Sequence, residues 1–201
     1  MTPVQQESSE ISFDSLSPYR RWLLVHADAD YVSARVLYYL NICYPKVAFL
    51  CREALEKYLK LLLLHIHHVS DDQADLFLRR YNHGLSEICD TVAQVARERQ
   101  ELRFQMIFEE SFFKNSVAMM ESYRSSTRYP GFFALPGSIV ETADRLIENV
   151  REFCLRMTPS PLEVVLKRLG PMEGWPSTNG QLVTVAFYHE NRKYSQASHE
   201  P

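Results

Sequence analysis

Residues 44–68, YPKVAFLCREALEKYLKLLLLHIHH, limit the folds open to this chain more than any other stretch. Val47, Leu50, Cys51, Ala54, Leu55, Tyr58, Leu59 and Leu62 recur at helical spacing and spread over more than half of a helix circumference. The polar residues Glu53, Glu56, Lys57 and Lys60 fall at i, i+3, i+4 and i+7, which confines them to one narrow stripe. Glu53–Lys57 and Glu56–Lys60 are then i,i+4 pairs with the acid on the N-terminal side, the favourable order. A helix this apolar must be enclosed by several neighbours, so the stretch predicts the middle member of a helical bundle. It does not predict a membrane span, because those charges occupy its central turns and its uninterrupted apolar run is far too short for a bilayer.

The flanking sequence supplies the neighbours. A helix is predicted over 18–40, with Ser17 as N-cap, Pro18 in the first turn, and Trp22, Val25, Ala29, Val32, Val36 and Leu40 facing inward. Pro45 punctuates a short connection, which makes this helix and the central one antiparallel neighbours. Ser70 with Gln73 reads as a capping box for a short helix carrying Ala74, Leu76, Phe77 and Leu78. After the break at Tyr81-Asn82-His83-Gly84, a helix over 85–99 has the core face Leu85, Ile88, Cys89, Val92, Val95 and Ala96. Another, over 109–124, carries Phe112, Phe113, Val117, Met120 and Tyr123. The segment 125–136, SSTRYPGFFALP, cannot be helical throughout because of its prolines and glycine. The last long helix is predicted over 137–157, with Ile139, Val140, Ala143, Leu146, Ile147, Val150 and Cys154 inward.

The fold class is therefore all-α: an up-and-down bundle of about five main helices, with short extra helices and a C-terminal extension. Residues 1–15 are polar and aperiodic, a flexible leader to a bundle over 16–157. Pro159 and Pro161 open the extension 158–201, read as a short helix over 162–169, a turn-rich linker, a strand over 181–188 and a polar tail. A net charge of −3 excludes a broadly basic protein, so any nucleic-acid contact must come from a local patch. Cysteines 43, 51, 89 and 154 form no C-x-x-C pair and read as reduced thiols of a cytoplasmic protein. The N-terminus has no apolar leader, and neither secretion nor membrane attachment is expected.

Four short pieces occur in a telling order. They are Ala27-Asp28-Ala29-Asp30-Tyr31-Val32-Ser33-Ala34, Ala54-Leu55-Glu56-Lys57-Tyr58-Leu59-Lys60, His83-Gly84-Leu85, and the Y-x-x-x-x-R-Y-P of 123–130. They resemble A-x-x-D-L-x-x-A, A-x-E-K-x-x-K, H-x-L and the Tyr/Arg-Tyr-Pro signature of the HEPN superfamily. Its members are helical nucleotide- or nucleic-acid-associated domains, often paired with minimal nucleotidyltransferases. The resemblance covers about residues 18–157. It implies a helical bundle, a nucleotide or RNA ligand, a separately encoded nucleotidyltransferase-like protein as partner, and a homodimer.

Family members that cut RNA carry Arg-x4–6-His. Here the spacing occurs from Arg20 and Arg21 to His26 and from Arg192 to His199, about as often as chance provides with sixteen arginines and seven histidines. Neither lies where the family places its motif, so no catalytic residue is assigned. The resemblance instead gathers Lys57, Lys60, Arg79, Arg80, His83, Arg124 and Arg128, which could hold phosphates, with Tyr81, Tyr123 and Tyr129 stacking a base. Against this stands a plain structural role, lysines paired with glutamates of their own stripe and His83 capping the third helix or bonding across the bundle. His26 with Asp30, and the group His65, His67 and His68, could each offer two metal ligands, but no further ligand has a recognisable spacing and no metal or other cofactor is assigned. The sequence also holds no phosphate-cradling glycine loop.

Overall fold

The computed structural model describes residues 15–81, 83–100, 102–126 and 136–154, together with residue 186. Among these residues the regular structure is helical, and no strand occurs. Helix α1 is Pro18–Tyr39, α2 Tyr44–Ile66, α3 Asp71–Leu78, α4 Leu85–Glu98, α5 Leu102–Phe108, α6 Ser111–Ser126 and α7 Pro136–Glu148. A 3₁₀ turn, Arg79–Tyr81, follows α3, and a π-helical turn, Asn149–Cys154, continues α7.

Helix α2 is the middle of the bundle, as its apolar breadth requires. It packs on α1, α4, α6, α7 and the π turn, and its run from Val47 to Ile66 is almost wholly buried. The turn before it is tight: Asn41 and Cys43 both take left-handed backbone angles, φ 54° and 50°. Pro45 then enters the first turn of α2, where its missing N–H is not needed.

The inward face of α1 differs from the one that apolar spacing predicts. Its buried residues are Leu23, Leu24, Ala27, Asp28, Tyr31, Val32, Ala34 and Arg35, whereas Trp22 is 53% exposed and Leu40 is exposed as well. The face was hidden because two of its members are charged. Tyr31 and Arg35 both meet Asp144 of α7, at 2.5 and 3.1 Å, and Asp28 accepts a hydrogen bond from Tyr58 of α2 and faces Arg151 of the π turn at 3.5 Å. Charge that is paired and hydrogen-bonded can be buried.

The caps differ as well. Ser17 and Ser70 occupy N-cap positions, yet neither side chain caps its own helix. Asp71, the first residue of α3, caps α1 instead: its carboxylate accepts the Tyr19 N–H at 3.0 Å and the Ser17 hydroxyl at 2.5 Å. Arg20 completes this corner by donating to the carbonyls of Leu64 and Val69 at the end of α2, at 3.1 and 2.6 Å. Helix α5 was not foreseen. Phe104 and Phe108, four residues apart, are both buried, and Phe108 meets Phe113 at 4.9 Å between ring centroids. The expected last helix over 137–157 is regular only to Glu148 before its winding loosens into the π turn. The expectations for 1–14, for the Arg-Tyr-Pro segment 127–135 and for 155–201 fall outside the described residues, except at Ala186. That residue, within the stretch expected to be a strand, is helical and buried.

Candidate functional site

The polar stripe of α2 is not a solvated face. Arg52, which the periodicity left unassigned, is only 1% exposed and directs its guanidinium along the stripe. One nitrogen lies 2.7 Å from Glu53 and 2.9 Å from Glu56, and the other donates to the His83 carbonyl at 2.8 Å. Glu56 is the hub. Its side chain is 4% exposed, and one of its oxygens receives both Lys60 Nζ at 2.6 Å and His83 Nδ1 at 2.5 Å. Burial would push this carboxyl up, but Lys60, His83 and Arg52 outweigh burial and hold it below the ordinary glutamate value. The next residue, Lys57, lies 2.5 Å from Asp30 of α1 and 3.5 Å from Glu53.

His83 stands at the rim of this cluster. It has φ 67°, a left-handed conformation that is uncommon outside glycine. The Gly84 N–H donates to the Tyr81 carbonyl at 2.7 Å in a turn that spans His83, and the Arg52 bond pins the His83 carbonyl. The backbone is thereby fixed so that Nδ1 reaches inward to Glu56 while the side chain stays 52% exposed. Three cations, Arg52, Lys57 and Lys60, face three carboxylates, Asp30, Glu53 and Glu56.

Of the predicted site residues, Lys57, Lys60 and His83 are brought together, each on a carboxylate. Arg79 is exposed and paired with Asp75 of α3 at 2.6 Å, while the Arg80 guanidinium lies 5.9 Å from the centroid of the Phe77 ring. The side chain of Arg124, and Arg128 and Tyr129 altogether, lie outside the described residues. Arg20 and Arg21, at ribonuclease-like spacing from His26, are engaged elsewhere: Arg20 at the end of α2, and Arg21 on the Leu16 carbonyl at 2.7 Å. His26 itself meets the Trp22 ring at 4.4 Å. Among the described residues, no three His, Cys, Asp or Glu side chains converge as a metal site would require. None of the helices among the described residues is long and apolar enough to cross a membrane. Sequence reasoning missed Arg52 and Asp30 as members of the cluster. The available signal was Arg52 lying four residues before Glu56, in line with the polar stripe of α2.

Fold and cluster together define a helical module with a buried ionic spine and a cation-bearing rim. The chain belongs to the HEPN domain family, whose model matches residues 20–158, from the first turn of α1 to beyond the π turn. HEPN domains are modules related to nucleotides and RNA. No curated protein and no solved structure matches the chain.

Proposed function

We propose that the chain is a HEPN binding or accessory module for nucleotide or nucleic acid, acting beside a separate nucleotidyltransferase-like protein. The observation that carries this reading is the rim itself: buried Glu56 holds Lys60 and half-exposed His83 on the same oxygen. An ammonium has three N–H donors, so Lys60 can keep Glu56 and still meet a phosphate oxygen. His83, held through Nδ1, presents its other ring nitrogen beside it for a hydrogen bond. Lys57, Arg79 and Arg80 extend this surface, and Arg124, Arg128 and Tyr129 of a homodimer would complete it. The setting is cytoplasmic.

The test is anisotropy of a fluorescent single-stranded RNA, with ATP as competitor, against the wild type, Lys60→Ala and His83→Ala. Each substitution is expected to weaken binding about tenfold, the value of one hydrogen bond to a charged group, with the circular-dichroism spectrum unchanged. Equal affinity for all three proteins refutes the reading, and no binding by any of them leaves a purely structural dimerisation module. One observation favours a second reading, a metal-independent ribonuclease of toxin type. An imidazole fixed through Nδ1 by a buried carboxylate has the arrangement of an oriented acid–base histidine. RNA cleavage in chelator that disappears in His83→Ala would establish that reading instead.

A further inference from the structure

The outer face of α1 carries a feature that neither packing nor the ionic cluster explains. Trp22 leaves more than half of its surface in solvent. Its ring lies 4.4 Å from His26, tilted by 46°, and 6.1 Å from Tyr19, tilted by 39°. We propose that Trp22 and His26 form a base-stacking platform, and that the ligand it takes is a single-stranded nucleic acid of two or more nucleotides; the proposal rests on the nucleic-acid reading of the His83 rim.

Several observations converge on this. Tyr19, whose ring flanks Trp22, packs on the core and its amide is held by Asp71, which anchors the start of α1. The platform also leads to the cations. Trp22, His26 and Asp30 recur at i, i+4 and i+8 along one side of α1, and Asp30 is the carboxylate that holds Lys57. From Trp22 to Asp30 the helix rises about 12 Å. Bases stacked on the rings thus have the cations of Lys57, and then of Lys60 and His83, along the onward path of the strand. Every base has a flat face, so such a platform accepts any sequence. An acidic peptide would match the cations but brings no ring per residue to the tryptophan. Asp30 and Glu53 compete with phosphate for Lys57, so stacking supplies the larger share of affinity and the salt dependence is shallow.

The chain has one other tryptophan, Trp175. In Trp175→Phe protein, the emission of Trp22 is titrated with octauridylate, with AMP and with ATP. In parallel, anisotropy with labelled octauridylate compares the otherwise unaltered chain with Trp22→Leu and His26→Ala. Saturable quenching by octauridylate that exceeds quenching by either nucleotide is expected. Trp22→Leu should weaken octauridylate about tenfold, His26→Ala should weaken it less, and neither should lower the melting temperature. Equal quenching by ATP and octauridylate overturns the strand in favour of a free nucleotide. Emission of the free protein that is shielded from acrylamide shows the ring covered by the chain itself or by a second copy, and also overturns it. If Lys60→Ala and His83→Ala weaken octauridylate while Trp22→Leu binds normally, the rim stands and the platform falls. If Trp22→Leu alone weakens it, the platform stands without the rim. If wild-type protein does not bind octauridylate, both fall.

Discussion

Asp28 shows at the scale of one residue how this core uses charge. It lies fully buried where α1, α2 and the π turn meet, bonded to Tyr58 and facing Arg151. Burial pushes its carboxyl up to about 6, against the opposing pull of Arg151 and Tyr58. A carboxyl raised on folding contributes stability fully below its unfolded value, and that contribution is lost as pH rises through the folded one. The window here is about pH 4 to 6, and the change is on the order of 3 kcal/mol. Asp28→Asn cannot titrate. The stability of wild type relative to Asp28→Asn, from urea unfolding, should therefore fall between pH 4 and pH 7; a constant difference would mean that Asp28 is ionised throughout. Asp144 is raised in the same sense, by burial and against Arg35 and Tyr31, while Glu56 is lowered, so total stability against pH conceals both and the mutant difference is the informative quantity. The same residue explains a misread face. Apolar periodicity cannot mark Asp28 or Arg35 as core, because their burial depends on Arg151, Tyr58 and Asp144, the nearest of which is thirty positions away in the sequence. Trp22, apolar and correctly spaced, was assigned inward in their place.

At the scale of elements, α2 was the most legible part of the chain, since a helix apolar on most sides has one place in a bundle. Its predicted span, 44–68, ends two residues beyond Ile66, and the predicted α4 ends one beyond Glu98. Helix starts were placed well by proline and break signals, but the caps were not, because the group that closes α1 comes from Asp71 of another helix. Helix α5 escaped because it is short, and the turn before it uses Gln100 at φ 57° where no glycine or proline announces a break. The site was legible as residues but not as an arrangement: Lys57, Lys60 and His83 were named, while the buried arginine that fixes the His83 loop was not. Leu55 tests the element directly. It is fully buried on α2, and Leu55→Asp would place a charge with no partner among apolar side chains. A loss of at least about 4 kcal/mol is expected, leaving the domain unfolded or molten. A soluble variant with an unchanged thermal melt would mean that this face of α2 is not the core. Arg52→Ala should act differently. It removes a ligand from Glu56 and from the His83 carbonyl, so about 3 kcal/mol or more of stability should go with it, and RNA affinity should drop in protein that remains folded at low temperature.

For the whole molecule the open matter is the copy number. Six aromatic residues around the Arg-Tyr-Pro segment suggest more apolar surface than one bundle can cover, and three of them are accommodated within the chain. Phe113 packs against Phe108, Tyr123 is buried, and Phe112 lies beneath the Arg145 guanidinium at 3.9 Å. That leaves Tyr129, Phe132 and Phe133 to argue for an interface, beside a separate exposed pair on α5, Leu102 and Met106, the latter 77% exposed. Scattered exposed apolar residues are ordinary, whereas an aromatic cluster next to arginines has the composition of an interface. The expected assembly is a homodimer joined about a two-fold axis through the Arg-Tyr-Pro segment; Arg124 and Arg128 of both copies would then meet at one shared cleft. Light scattering at micromolar concentration should give twice the mass of one chain. Arg128→Glu should alter the dimer fraction and lower RNA affinity, since it reverses the charge where four arginines would meet. Met106→Lys should change neither; if it alone produces monomer, the dimer is built on α5 and the arginines are not shared. If Arg128→Glu leaves mass and RNA affinity at wild-type values, there is no such cleft, and the cations that matter are those gathered around Glu56.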